Sequence, residues 1–263
     1  MDMNNSPTDR AKSRHNTPQL WDTVWDGAVH DNDEDVAAER RSIRWNNISG
    51  AILERFGRWN IDVLELGAGS GAYSLMFALL GARVTLVDYS ERALDVARIR
   101  FERHGLHASY RRANLTTPNT MPDLQADVTM SFGLAEHFTG EERKLVLRRH
   151  IEPLRPGGLA IISVPNAWCL PYRIFKVVME AKGEWQVGEE YPFSCRELDK
   201  LLREVGAKQI QMTGGSFRRS FRYLAMLPVV RRLRIAEKLL GKPEHASPLD
   251  KYLAYELVAL ATR

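Results

Sequence analysis

The run Ile61-Asp62-Val63-Leu64-Glu65-Leu66 is apolar and β-branched, closes on Gly67, and gives way within a few residues to a helical pattern. A strand, a glycine turn and a helix in that order leave few folds open. A strand with so little polar character belongs inside a parallel sheet covered on both faces. Gly67 ends the strand, Gly69 lets backbone approach a ligand closely, and Gly71 permits tight packing of helix on strand. The helix start offers free N–H groups and the positive end of its dipole, a setting that accepts a pyrophosphate or a carboxylate. The turn does not choose between them, because Gly67, Gly69 and Ala72 also satisfy the dinucleotide pattern G-x-G-x-x-G/A. Asp88 closes the next apolar run and can accept two hydrogen bonds from a ribose diol.

The same alternation continues. Arg83–Asp88 reads as a second strand, and Ser90 caps a helix that stops at Gly105. Residues 108–112 and 127–133 read as the third and fourth strands. A helix from Gly140 is expected to stop at Pro156-Gly157-Gly158, and Leu159–Pro165 is the fifth strand. This order predicts a parallel sheet with helices on both faces. Two late strands, Lys208–Gly214 and one within 252–263, bring the total to seven, with one antiparallel strand expected at the sheet edge. The expected architecture is therefore α/β, Rossmann-like and doubly wound, with a mostly parallel seven-stranded sheet. An N-terminal helical segment and a C-terminal helical insertion are added to it. The divisions are a polar tail over 1–19, a helical lid segment over 20–60 with one helix from Val36 to Trp59, and the main domain over 61–263. Within that domain, 166–193 and 216–241 are substrate-side or accessory insertions.

Composition narrows the class. With 44% hydrophobic and 27% charged residues the chain is globular, and a net charge of +4 permits an acidic partner without demanding one. Cys169 and Cys195 are the only cysteines, in no metal-ligand spacing, so no zinc site or disulfide framework is expected. No apolar run approaches the roughly 20 residues of a membrane span. The opening residues are too polar for a signal peptide. A cytoplasmic protein is the expectation.

Four segments in order, VLELGAGSG, VTLVDYS, SFGLAEHF and LRPGGLAIISVPN, resemble the class I S-adenosylmethionine-dependent methyltransferases, and are closest in character to those acting on quinones and other metabolites. The resemblance runs from about Ile61 to Asn166. It implies S-adenosyl-L-methionine as cofactor, with its methionine part along Gly67, Ala68 and Gly69 beside Gly71. It further implies Glu65 at the ammonium, Asp88 at the ribose hydroxyls and Tyr89 against the adenine. Asn114, followed by Leu115, stands where the family often has an acid facing the adenine amine; its amide carbonyl can still accept. Ser131, Phe132, Gly133 and Leu134 would sit nearest the methyl group.

The reaction implied is in-line displacement onto an oxygen or nitrogen of a small-molecule acceptor. The protein's tasks are alignment and exclusion of water. A base is needed when the acceptor arrives protonated, and His137 is the candidate, with Glu136 to orient it or to attract a cationic substrate. Packing or capping is the competing reading of His137. Trp21 and Trp25, at i and i+4, read as a helix face packed on the domain, or as a lid over the cofactor. Trp168, Tyr172, Phe175, Trp185 and Tyr191 are candidate walls of an acceptor pocket. The basic stretch 218–238 suggests RNA or an anionic membrane surface as a partner, or a solvated helix face. RNA methylation and a non-catalytic partner subunit are therefore the alternatives. Against the first, no Asn/Asp-Pro-Pro-aromatic motif ends the fourth strand. The intact glycines and Asp88 argue against the second.

Overall fold

The structure is a computed structural model that describes residues 16–26, 33–118, 120–121, 124–227 and 245–263. Seven strands form one sheet: β1 (Asp62–Leu66), β2 (Arg83–Asp88), β3 (Ser109–Arg112), β4 (Ala126–Phe132), β5 (Leu154–Pro165), β6 (Lys208–Gly214) and β7 (Glu256–Thr262). Their order across the sheet is β3-β2-β1-β4-β5-β7-β6. The first five pair in parallel, and β7 runs antiparallel to both neighbours. The antiparallel strand is thus one place in from the edge, not at it. Every residue of β7 is buried, so it needs cover on both sides, whereas half-exposed β6 can tolerate the edge.

Helices α1 (Pro18–Asp26), α2 (Asp33–Glu39) and α3 (Ile43–Phe56) precede the sheet. Between strands lie α4 (Ala72–Ala78), α5 (Glu91–Arg103), α6 (Gly140–Ile151), α7 (Leu170–Lys182) and α8 (Cys195–Glu204). Short helices α9 (Phe217–Ser220), α10 (Arg222–Met226) and α11 (Asp250–Leu253) fall between β6 and β7. Strand alternation sends successive side chains to opposite faces and so divides the core. Val63, Val84 and Val128 pack with Ile48 and Ile52 of α3, Leu75 and Phe77 of α4 and Phe101 of α5. Leu64, Leu66 and Val87 face the other way, toward Val146 and Leu147 of α6 and Leu198 and Leu202 of α8.

Three expectations change. The long N-terminal helix is two, because Ser42 is extended (φ −76°, ψ 154°) and its hydroxyl accepts from the Trp45 N–H, restarting the helix there. The helix before β5 stops at Ile151, ahead of Pro156. Gly157 and Gly158 lie within β5, beside a register shift between Ala126 and Val128. A Cβ on Gly158 would stand 2.9 Å from the Asp127 carbonyl oxygen, so the irregular strand needs glycine there. Of the basic stretch 218–238, residues 228–238 lie outside the described residues, as do 228–241 of the expected insertion and 1–15 of the tail. Arg219 and Arg222 turn inward, to Glu39 at 3.9 Å and Glu256 at 3.6 Å. Among the described residues no helix is long and apolar enough to cross a membrane.

Gly71 has φ +68°, and a Cβ on it would stand 2.7 Å from Leu86 Cδ2 and 3.0 Å from Ala97 Cβ. Gly71→Ala is expected to lower unfolding free energy by about 2–4 kcal/mol through combined backbone strain and overpacking. Urea melts of the two proteins check this.

Candidate active site

The glycine turn is tied to the end of β2 by one side chain. Asp88 accepts the Gly69 N–H with one carboxylate oxygen and the Ser90 N–H with the other, both at 2.9 Å. Burial raises its carboxyl above the ordinary value, against the pull of these bonds. Ser90 in turn accepts from the Ala93 N–H, starting α5, and donates to Asp22 of α1 at 2.5 Å. Glu65, at the end of β1, accepts from the Ser74 N–H at 3.1 Å and the Ser74 hydroxyl at 2.5 Å. Burial pushes its carboxyl up to about 8. Positive φ at Gly67 (62°) and Gly69 (52°) bends the backbone between these anchors. A Cβ at Gly67 would meet Leu134 at 2.6 Å, and one at Gly69 would meet Trp25 at 2.5 Å.

Above this turn lies a cavity of ≈ 240 Å³. Glu65, Gly67, Ala68, Gly69, Asp88 and Tyr89 border it from one side. Asn114, Leu115, Phe132, Gly133, Leu134 and His137 border it from the others. Most of the expected site residues are thus brought to one space by the ends of β1, β2, β3 and β4. Parallel strands of an open sheet put their carboxyl ends on one side, so this convergence follows from topology.

Four expected residues behave otherwise. Ser131 does not border the cavity; it is fully buried and bonds His150 Nε2 at 2.8 Å. Strand alternation explains this, since Phe132 takes the cavity side and Ser131 the opposite face. Gly71 serves packing rather than lining. Asn114 borders the cavity, but its side-chain oxygen is used within its own loop, accepting from the Thr116 N–H at 3.0 Å and hydroxyl at 2.9 Å. The amide N–H₂ is the part left for a ligand. Glu136 is buried and does not orient His137.

That task falls to a backbone group. The Glu189 carbonyl lies 2.9 Å from His137 Nδ1. A neutral ring donates its Nδ1 proton to that carbonyl and keeps a lone pair on Nε2. Burial lowers the ring to about 4, so it is neutral through the physiological range. Trp21 meets the ring edge-on at 4.9 Å. Glu136 has one buried oxygen without a partner, and burial raises its carboxyl well above the ordinary range. No metal is expected from the sequence, yet donor atoms of Glu136, His137 and Glu190 all lie within 4.8 Å of one another, close enough to share a cation. Glu190 also accepts from the Tyr172 hydroxyl at 2.5 Å.

Several site residues carry no local sequence signal. Tyr73 borders the cavity and stacks on Phe132 with ring centroids 3.4 Å apart; half-buried Arg44 donates to its hydroxyl. Its place one residue into the helix after the glycine turn is the clue that was available. Glu189 and Glu190 come from the irregular stretch before α8. The aromatic wall expected from that region forms elsewhere. Trp168 is 66% exposed, and Tyr172 is buried among Tyr223 and Tyr255. Trp185 and Tyr191 border a separate groove on the outer side of α1.

A doubly wound sheet with a glycine turn after β1 and an acid ending β2 defines a nucleotide-cofactor enzyme fold. Residues 63–158 match the family described as a methyltransferase domain. The ubiquinone biosynthesis O-methyltransferase of Ruegeria pomeroyi is 32% identical over 163 residues, covering 60% of this chain and 64% of that protein. Its counterpart in Cereibacter sphaeroides is 34% identical over 166 residues, with the same coverage of 60% and 64%. The chain therefore spans a little under two thirds of the length of these relatives. Among solved structures, an O-methyltransferase family protein from Burkholderia thailandensis aligns with TM-score 0.59 at 14% identity, covering 96% of this chain and 62% of that one. Magnesium protoporphyrin IX methyltransferase from Synechocystis PCC 6803, solved with bound SAH, aligns with TM-score 0.53 at 16% identity, covering 84% and 83%. At these identities the solved structures speak for the fold. Residues 63–158 are therefore similar to a methyltransferase domain set in a Rossmann-like fold, and S-adenosylmethionine is the cofactor that this likeness supports.

Asp88→Asn is expected to cost about 1–3 kcal/mol of stability, because the new amide N–H₂ faces a backbone N–H that has lost its acceptor. The variant should also bind S-adenosylhomocysteine more weakly. Thermal melts and calorimetry on the same preparation check the two effects separately.

Proposed function

We propose that this chain transfers a methyl group from S-adenosylmethionine to a hydroxyl oxygen of a small-molecule acceptor. One observation carries the reading: a single cavity runs from the Gly67–Gly69 turn and Asp88 to the ring of His137. Glu65 holds the cofactor's ammonium, the turn its methionine chain, Asp88 its ribose and Tyr89 its adenine. Bound there, the cofactor supplies an electrophilic methyl on sulfonium. The chain's residues align the acceptor and keep water out. Phe132 and Leu134 line the reacting end, and stacked Tyr73 stiffens it. His137, neutral and held through Nδ1, takes the hydroxyl proton at Nε2 as oxygen attacks carbon. Oxygen is favoured over nitrogen by the O-methyltransferases among the relatives.

The RNA reading has less support, because Trp21 and Trp25 roof the cavity and leave a space suited to a small molecule. Nor does the set Glu65, Gly67, Gly69 and Asp88 show the losses that a purely structural subunit would tolerate.

Calorimetry with S-adenosylhomocysteine, followed by a labelled-methyl screen against hydroxylated metabolites and RNA, tests the reading. Binding and labelling of a metabolite are expected; label entering RNA alone would overturn the acceptor class. His137→Ala should lower turnover by about a hundredfold while changing S-adenosylhomocysteine affinity less than about twofold. Full turnover in that variant removes the base.

Glu65 makes binding proton-linked. Free, its carboxyl holds a proton up to about pH 8. An arriving ammonium favours the carboxylate, so binding near neutrality releases a proton, and affinity should rise as pH is raised from about 6 toward 8. Calorimetry in buffers of different ionisation enthalpy measures that proton.

A further inference from the structure

The roof of the cavity stands outside the strand–helix alternation. It is α1, and none of its residues is buried, so the hydrophobic core does not hold it in place. Its inner face lies on the site itself. The Trp25 ring covers Gly69, Trp21 meets the His137 ring, and both indoles border the cavity. Polar contacts pin it at the rim. Asp22 accepts from the Ser90 hydroxyl at 2.5 Å, Asp26 pairs with Arg92 at 2.6 Å, and the Asn16 amide donates to the His137 carbonyl. The Asp26–Arg92 pair is exposed and contributes little, which leaves Asp22 as the stronger pin. Behind α1 there is space. Leu20, Thr23 and Val24 on its outer side border a groove of ≈ 900 Å³. Two indoles facing a cavity, pins at the rim and room behind make a segment that gains contact area from whatever fills the cavity and can lift away to release it.

We infer that α1 is a cofactor-retaining strap. Trp25 contacts the bound S-adenosyl group beside the glycine turn, and Asp22 latches the strap to Ser90. The inference rests on the cofactor reading above and adds binding residues from outside the matched methyltransferase domain. Its consequence is kinetic: S-adenosylhomocysteine leaves only after α1 lifts, so α1 sets the dissociation rate.

Stopped-flow fluorescence on the full chain, with S-adenosylhomocysteine as the probe, tests this. Trp25→Ala and Asp22→Ala should each raise the dissociation rate about tenfold, with association changed less than about twofold. Trp25→Phe should restore most of the difference. Apo melting temperatures of the variants should stay near that of the parent, because α1 lies outside the core. The ligand should also slow chymotryptic cleavage at Trp21 and Trp25 in the unmodified chain. Release at the parental rate from both alanine variants, while the parent binds, overturns the strap and leaves the cofactor reading intact. Tighter binding by Trp25→Ala also overturns it, since the indole would then be a competitor for the groove. A parent that binds no S-adenosylhomocysteine overturns the cofactor reading, and the strap with it.

Discussion

The two oxygens of Asp88 hold the site's geometry. One fixes the Gly69 N–H, the other the Ser90 N–H, so the turn after β1 and the start of α5 are set by a single carboxylate at the end of β2. A turn with left-handed glycines at both Gly67 and Gly69 has little stiffness of its own. Two short charge-assisted bonds supply it, at a position where solvent cannot compete. The same carboxylate lines the cavity, which joins backbone shape to ligand chemistry in one group. Loss of Asp88 would therefore disturb the cradle as well as one of its contacts.

Around this anchor the site gathers ionisable groups far from bulk water. Glu65, Asp88, Glu136 and Glu190 are all pushed toward their neutral forms by burial, and His137 likewise. Nearby cations offset the carboxyl shifts only in part: Arg100 acts on Glu65, Arg143 on Glu136 and Lys176 on Glu190. A site with this balance favours positive charge. That fits a sulfonium and an ammonium arriving together, since each restores a carboxylate to its ionised form on binding.

Much of this was legible in the chain, for identifiable reasons. The alternation of strands and helices, the glycine turn and Asp88 are encoded within short windows, where local backbone preference and topology agree. The position of β7 was not, because edge and interior differ in how many faces are covered, and Glu256–Thr262 shows its apolar character without naming its neighbours. Ser131 and Phe132 are adjacent in sequence but on opposite faces, so their roles depended on strand phase. Asn114 could be placed at the cavity but not turned, since its bond to Thr116 is a choice its loop makes after folding. Glu189 and Glu190 lie more than fifty residues from the histidine they serve, in a stretch without periodicity. Contacts made by such loops leave no local trace.

Trp25 shows why a spacing argument alone cannot separate packing from function. An i, i+4 pair of indoles reads first as a core face, and on a helix with buried residues that reading would stand. Here α1 has none, and what its indoles touch is Gly69 and His137. The apolar stripe is real, but its partner is a cavity over the glycine turn rather than a layer of the hydrophobic core. An amphipathic helix seated on a ligand site has its packing energy divided between protein and ligand, so its stability must vary with occupancy. The sequence carries the stripe; the sheet topology, which delivers Gly69 and His137 to the same edge, decides what the stripe is for.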